Sequence, residues 1–293
     1  MKTAHSYITA EECRIIKVLK DDGSSYNLFN NDIDKNFIKK YTLKSLLRYP
    51  GGKTRAVNLL LTLIPKNTNE LCSPFLGGGS IELACTSREI KVYGYDIFTP
   101  LIEFWECLLE NPNKLADEVE KYYPLPKKKF YELQKIQTSL NTKLERAAVF
   151  YVLNRSSFSG STLSGGMSPD HPRFIRSSIQ RIREFYNPNI EVKKMDFKES
   201  IHLHPNVFLY LDPPYLIKNN LYGKNGDAHK NFDHIRLFEI LNNRNNWILS
   251  YNNCQEILEL YKDYRILFPV WKYGMSNDKK SREVLILSQD INM

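Results

Sequence analysis

The sequence predicts an α/β protein: a mostly parallel sheet with helices on both faces, carrying an inserted, mainly helical domain. Three observations carry that expectation. From about residue 45 onward, short apolar runs alternate with segments of helical period, the pattern of successive β-α-β units. Val207 to Leu211 is a continuous apolar, β-branched and aromatic run that stops at Asp212-Pro213-Pro214-Tyr215, as a strand buried on both faces does. A glycine cluster, Gly77-Gly78-Gly79, separates an expected strand from an expected helix, and an acid, Asp96, ends the next strand.

Composition narrows the function classes. With 293 residues, 42% of them hydrophobic, the chain can bury a full core. No apolar run approaches the ~18 residues that span a bilayer, and Met1 to Tyr7 lacks the apolar core of a signal peptide. A cytoplasmic protein with no membrane partner is expected. Cys13, Cys72, Cys85, Cys107 and Cys254 are scattered without a Cys-x-x-Cys pair, which argues against a disulfide framework or a zinc site. His202-Leu203-His204, near Glu199, matches no strong ligand spacing; these read as exposed loop residues, and no metal is expected. The net charge of +8 points to a polyanionic partner.

Taken in order, residues 1–44 read as an extension outside the core, with a strand or helix from Cys13 to Leu19 and turns at 21–25 and 30–34. The first part of the expected catalytic domain, residues 45–111, opens with Leu47-Arg48-Tyr49-Pro50-Gly51-Gly52-Lys53-Thr54. Its Gly-Lys-Thr is not a P-loop, because that motif needs glycine five places before Gly52, where Leu47 stands. Ala56, Val57, Leu60, Leu63 and Ile64 then fall at helical spacing. Leu71 to Phe75 reads as a strand entering the glycine turn, Ile81 to Cys85 as a helix, and Ile90 to Tyr95 as a strand ending at Asp96. Glycines there let a backbone approach a ligand closely, and the acid is placed to accept from ribose hydroxyls. A tight turn followed by a surface acid would look the same. The pattern is not Gly-x-Gly-x-x-Gly, so a nucleoside without a pyrophosphate fits better than a dinucleotide. Thr99 to Glu110 is an expected helix with Pro100 in its first turn.

Beyond it the composition shifts. Residues 112–190 hold 13 Lys plus Arg against 7 Asp plus Glu, so +6 of the net charge lies in this expected insertion. It carries Lys127-Lys128-Lys129-Phe130-Tyr131, an expected helix from Lys143 to Leu153, the polar hairpin candidate Asn154 to Gly160, a Ser/Gly-rich loop and a basic helix with Arg173, Arg176, Arg181 and Arg183. Positive charge interleaved with aromatics and small polar side chains suits phosphates and base edges, although a solvated basic face has the same composition. From 191 to 293 the α/β rhythm resumes. Glu191 to Met195 is an expected strand whose end, Asp196-Phe197, could hold an adenine ring. After the Val207 strand come a lid-like polar loop from 217 to 230, a helix at 233–242, a strand from Trp247, a helix at 255–261, and two closing strands, 264–270 and 282–287, expected as an antiparallel hairpin at the sheet edge.

The turn at 212–215 has its own chemistry. Two prolines lock φ and donate no N–H, leaving a rigid loop of acceptors, and Tyr215 offers a flat face. A planar group bearing an NH2 satisfies both features, while many Asp-Pro turns merely end strands.

Tyr49-Pro50-Gly51-Gly52-Lys53, Pro74-Phe75-Leu76-Gly77-Gly78-Gly79-Ser80 and Asp212-Pro213-Pro214-Tyr215, in this order, resemble the Dam-like (D12 class, alpha group) adenine-N6-specific DNA methyltransferases, from roughly residue 45 to the C-terminus. The resemblance implies a Rossmann-like methyltransferase sheet and S-adenosylmethionine as cofactor. It implies that Tyr49, Lys53, Pro74, Phe75, Gly77, Gly79 and Ser80 line the cofactor site, that Asp96 holds the ribose and that Asp196 and Phe197 contact the cofactor's adenine. Asp212 would touch both cofactor and target, and Asp212, Pro213, Pro214 and Tyr215 would hold a flipped adenine. Residues 112–190 become the target-recognition domain, with Asn154, Arg155, Ser156, Ser157 and Phe158 in a DNA-reading hairpin that runs to Pro172, and Arg173 beyond it. Double-stranded DNA is the implied partner, with a companion restriction endonuclease; no metal is required. The family often has Asn two places after the ribose acid, where this chain has Phe98. A methyltransferase of RNA adenine or protein glutamine would share the turn, and a non-enzymatic nucleic-acid binder would share the basic segment.

Overall fold

The computed structural model describes residues 6–9, 15–19, 25–29, 44–49, 51–54, 56–168, 173–216, 232–270 and 283–291. The turn expected at 21–25, apart from Ser25, the turn expected at 30–34, the lid expected at 217–230 and the polar turn at 273–280 lie outside the described residues, as do Cys13, Pro50 and Pro172.

The N-terminal segment contributes strands β1 (Ser6–Thr9), β2 (Ile15–Leu19) and β3 (Ser25–Phe29). Helix α1 (Val57–Leu63), β4 (Glu70–Ser73), α2 (Ser80–Thr86), β5 (Lys91–Asp96) and α3 (Thr99–Glu110) follow. The insertion is helical: α4 (Pro112–Glu120), α5 (Lys127–Ile136), α6 (Lys143–Ser156) and α7 (Arg176–Arg183). The chain then alternates through β6 (Ile190–Lys194), α8 (Phe197–Leu203), β7 (Phe208–Leu211), α9 (His234–Asn242), β8 (Trp247–Asn252), α10 (Gln255–Leu260), β9 (Arg265–Val270) and β10 (Glu283–Leu287).

All ten strands join one sheet in the order β3-β2-β1-β9-β10-β8-β7-β4-β5-β6. The block β8-β7-β4-β5-β6 is parallel throughout, and β10 runs antiparallel between β8 and β9. Two expectations need correction. The closing hairpin β9-β10 is not at the edge, because β1 pairs in parallel with β9, Tyr7 opposite Phe268, and β2 and β3 extend the sheet antiparallel. The described strands of the N-terminal segment, expected as part of an extension outside the core, join the sheet and cover an edge that β9 would otherwise present as a row of open N–H and C=O groups. Four- and five-residue strands carry too little periodicity to announce this.

Strand β7 explains the run that first drew notice. Phe208 and Tyr210 enter the core on one face of the sheet, Leu209 and Leu211 the core on the other, and all four are buried. A strand covered on both faces has no place for a polar side chain until it ends. The first face packs against α1, α2 and α3, the second against α8, α9 and α10 through Ile201, Leu237, Leu241 and Ile257.

The insertion shares the first of these cores. Helix α6 starts from a capping box between Thr142 and Glu145 and is buried continuously from Ala147 to Asn154 between α3, α4 and α5. Tyr151 stacks on Phe104 at 5.4 Å, and Arg146 grips Glu103 with contacts of 2.6–3.0 Å. Much of the basic excess is consumed internally: Arg183 pairs with Asp117 at 2.5 Å and Glu120 at 2.7 Å, and Lys143 lies 3.4 Å from Glu106.

Candidate active site

Along the chain, the sheet grows from β4 through β5 to β6 and then restarts on the other side of β4 with β7. Strand order reverses between β4 and β7, and the loops leaving their carboxyl ends diverge to open a crevice. A cavity of about 580 Å³ occupies it. Every residue that the sequence assigned to cofactor binding or catalysis lines this one cavity.

The loop after β4 supplies the glycine turn. Gly77 and Gly79 have φ of +48° and +67°, in the left-handed region that side chains disfavour. A Cβ on Gly79 would meet the Trp105 ring at 2.7 Å, and one on Gly78 would meet Tyr49 Cβ at 2.9 Å. The glycines therefore let two aromatic residues press against the turn, Trp105 on one side and the cavity-lining Tyr49 on another. Trp105 Nε1 donates to Gly77 O at 3.2 Å, and the Ser45 hydroxyl donates to Gly78 O. Asp96, at the end of β5, accepts from Gly77 N at 3.2 Å and Phe98 N at 3.0 Å; burial raises its pKa against those two bonds. On the opposite wall Phe75, Phe197 and Phe232 form an aromatic corner with centroids 5.2–5.7 Å apart, and Asp196 caps α8 by accepting from Lys198 N at 2.9 Å.

The loop after β7 is a cluster of charge. Lys53 Nζ donates to Asp212 Oδ1 at 2.8 Å and Oδ2 at 2.7 Å, to Tyr215 Oη at 2.8 Å and to Gly51 O at 3.0 Å. Tyr215 Oη in turn donates to Asp212 Oδ1 at 3.1 Å. Glu283 Oε1 stands 3.5 Å from Lys53 Nζ. Burial pushes the Asp212 carboxyl up and Lys53 opposes the shift; burial pulls the Lys53 ammonium down, but Asp212 and Glu283 hold it above its ordinary value. Beneath them Glu82, in the first turn of α2, accepts from Ser73 Oγ at 2.6 Å and is pushed up to about 7 by burial. Lys53 thus faces the β7 turn rather than the glycine turn. One side of Tyr215 is taken by Tyr251, stacked at 5.9 Å.

The hairpin after α6 departs further from expectation. It exists, closed by a bridge between Ser157 and Met167 with Phe158 N donating to Gly166 O at 2.8 Å. Asn154, Ser156 and Ser157, expected to present polar groups to DNA, are buried in this structure. Asn154 Oδ1 accepts from Arg48 N at 2.8 Å, while its Nδ2 donates to Arg48 O at 2.8 Å and Thr162 Oγ1 at 3.0 Å, stapling residues 44–49 to the hairpin. Arg155 donates to the carbonyls of Arg173 and Leu46 at 3.0–3.5 Å. Phe158, 58% exposed, and Arg173 remain on the surface. His204 is not a loose loop residue either: it stacks on Tyr93 at 4.4 Å and bonds Tyr95 Oη at 2.7 Å.

A model of the D12 class N6 adenine-specific DNA methyltransferases matches residues 49–275. The chain belongs to that family. It is an adenine-specific DNA methyltransferase and so binds DNA, and the family implies dependence on S-adenosylmethionine. It is similar to type II methyltransferase M1.LlaDCHI of Lactococcus lactis subsp. cremoris, 25% identical over 261 residues that cover 80% of this chain and 89% of that enzyme. Type II methyltransferase M.CviBI of Paramecium bursaria Chlorella virus NC1A is 23% identical over 233 residues, 76% of this chain and 88% of the relative. With modification methylase StsI of Streptococcus sanguinis, identity is 28% over 225 residues, 67% of this chain but 32% of that longer protein. Among the described residues of this methyltransferase no helix is long and apolar enough to cross a membrane.

Sequence reasoning missed Glu82 and Phe232 at the methyltransferase cavity, Glu283 behind Lys53, and Arg48 at the hairpin. Glu283 left a usable signal, an acid at the head of the otherwise apolar strand Glu283-Val284-Leu285-Ile286-Leu287. Arg48 left none, since it meets Asn154 through its backbone and its guanidinium donates to the Ser157 carbonyl at 2.8 Å, contacts that only the fold sets.

Proposed function

We propose that the enzyme transfers a methyl group from S-adenosylmethionine to the 6-amino nitrogen of an adenine extruded from duplex DNA, in the crevice between β4 and β7. The observation that carries this reading is an acid at the strand-order reversal whose two oxygens already hold an amino group, that of Lys53 at 2.8 and 2.7 Å. Asp212 is poised to accept from nitrogen.

The β4 side of the cavity suits the cofactor. Gly77 and Gly79 line the cavity with left-handed backbone, Asp96 supplies a carboxylate for ribose hydroxyls, and Phe75 and Phe197 with Asp196 supply an aromatic face and an acceptor for the adenine. Tyr49, Pro74 and Ser80 complete the wall. S-adenosylmethionine supplies a methyl group on a positively charged sulfur.

On the β7 side, the nitrogen of adenine is a poor nucleophile because its lone pair is delocalised into the ring. The Asp212 carboxylate and the Pro213 carbonyl, accepting one hydrogen each, draw the NH2 out of conjugation and stabilise the positive charge that builds on nitrogen during transfer. The prolines keep those acceptors fixed, so little reorganisation is needed at the moment of reaction. Tyr215 offers its ring in place of the neighbours a flipped base leaves behind. Residues 112–190 serve as the target-recognition domain, with Phe158 and Arg173 at the duplex surface and Arg155 behind them. The type II relatives support a role in restriction and modification beside a companion endonuclease.

Sequencing DNA from a host that expresses the protein, read for modified adenine, tests the proposal. N6-methyladenine confined to one short sequence, and absent from a host expressing Asp212→Ala, is the expected result. A side-by-side labelled-methyl assay with RNA or protein outperforming duplex DNA would overturn it.

A further inference from the structure

Lys53 lies between two buried carboxylates. Its ammonium donates to both oxygens of Asp212, and Glu283, entering from the start of β10, stands 3.5 Å away. Lys53 and Glu283 are 4% and 5% exposed, whereas the Asp212 side chain is 23% exposed, on the cavity side. An amino group bonded to both Asp212 oxygens occupies the lone pairs that a target amine must use. Lys53 and the substrate therefore compete for one acceptor.

A neutral NH2 displaces a buried ammonium only if the ammonium has another anion to turn to, because a stranded buried charge is strongly disfavoured. Glu283 is that anion. Closing its separation from Lys53 to the ~2.8 Å of a charge-assisted hydrogen bond takes a movement of roughly 0.7 Å, small for a lysine side chain. Glu283 stands at the head of a strand whose next four residues, Val284 to Leu287, are buried on the two faces of the sheet.

We propose that Glu283 is a positioning residue for methyl transfer: it shares Lys53 with Asp212, and Lys53 moves onto Glu283 as the target amino group takes its place on Asp212. This rests on the reading of Asp212 as the acceptor of the adenine amine. When Lys53 shifts, Tyr215 Oη stays bonded to Asp212 Oδ1, so the carboxylate keeps its orientation. Among the described residues, the groups that face Asp212 are Lys53 from the glycine-lysine loop, Tyr215 from its own loop, Glu283 from β10, Glu82 from α2 and Tyr210 from β7. Of these Glu283 raises the Asp212 pKa and Lys53 lowers it.

The test is single-turnover methyl transfer to duplex DNA carrying the modified site, at saturating DNA and S-adenosylmethionine, across pH, for wild type, Glu283→Gln, Lys53→Met with Glu283→Gln, and Asp212→Asn. In Glu283→Gln, Lys53 has Asp212 alone; the plateau rate falls at least about 10-fold, both dissociation constants stay within about twofold, and the acid limb of the profile moves to lower pH. A merely structural glutamate would not couple a lower plateau to a more acidic limb. Removing Lys53 as well restores part of the lost rate, because nothing then occupies Asp212. A Glu283→Gln rate within twofold of wild type with an unmoved acid limb overturns the proposal, as does a further loss in the double variant. Asp212→Asn at the wild-type rate would overturn the underlying reading and the proposal with it, whereas an inactive Asp212→Asn beside an indifferent Glu283→Gln overturns the proposal alone.

Discussion

Two buried polar clusters, one at the β7 turn and one under the hairpin, are built from the same materials to opposite ends. At the β7 turn, Lys53, Asp212 and Tyr215 bond one another through side chains, and Asp212 keeps 23% of its side chain open to the cavity. Under the hairpin, Asn154 is fully buried and bonds the backbone N–H and C=O of Arg48. The first cluster can exchange partners, since one member is a flexible lysine and another faces a void. The second is closed, because its bonds to Arg48 tie two chain segments through main-chain groups, Thr162 takes a further Nδ2 hydrogen, and Asn154 does not line the cavity. Burial of a polar residue does not by itself mark function; what matters is whether the group opens onto space that a substrate can enter.

This contrast can be broken by experiment, and the largest effect belongs to the open cluster. Asp212→Ala is expected to lower methyl transfer at least about 10³-fold while cofactor binding stays measurable by calorimetry. More than a few per cent of residual activity would remove Asp212 from its role. In the closed cluster Asn154→Ala leaves the N–H and C=O of Arg48 without their partner and is expected to lose about 2–4 kcal/mol of stability in urea unfolding. If stability held and DNA affinity fell instead, Asn154 would be a reader of bases and the contrast would be wrong.

A smaller effect comes from Glu82, buried in the first turn of α2. Its ordinary value is 4.5 and burial pushes it up to about 7, so the folded state binds its proton more tightly than the unfolded one. Stability is therefore fully present below about pH 4.5, declines as pH rises toward 7, and is flat beyond. Thermal midpoints of the cofactor-free protein should fall between pH 5 and pH 8, and Glu82→Gln should flatten that fall by a few degrees. An equal fall in the variant would exclude Glu82 as its source. The smallest effects are expected at the surface. Arg173→Ala should weaken DNA binding a few-fold and reduce the salt slope by about 1, as loss of one phosphate contact does.

Parts of this molecule were legible without coordinates. The glycine turn, the acid ending β5 and the proline-locked acid after β7 each express a local backbone requirement, and a local requirement leaves its mark within a few residues. Strand β7 was legible because burial on both faces suppresses the usual alternation. The partners of the hairpin residues were not legible, for the complementary reason. A run of Asn, Arg and Ser is equally at home facing DNA or facing another segment's backbone, and nothing nearby tells the two apart.

The N-terminal strands show the same limit from another direction. Their pairing with β9 depends on which edge the rest of the sheet leaves open, a property of the assembled topology. So does the meeting of Lys53 with Asp212, 159 residues apart, and of both with Glu283. By itself the sequence determined the order of strands and helices, the backbone conformations at the two turns and the chemical character of their ends. Only the tertiary structure decided which charges share a pocket, because strand order is set by packing over the whole sheet, and a side chain's partner is whatever that packing brings within about 3 Å.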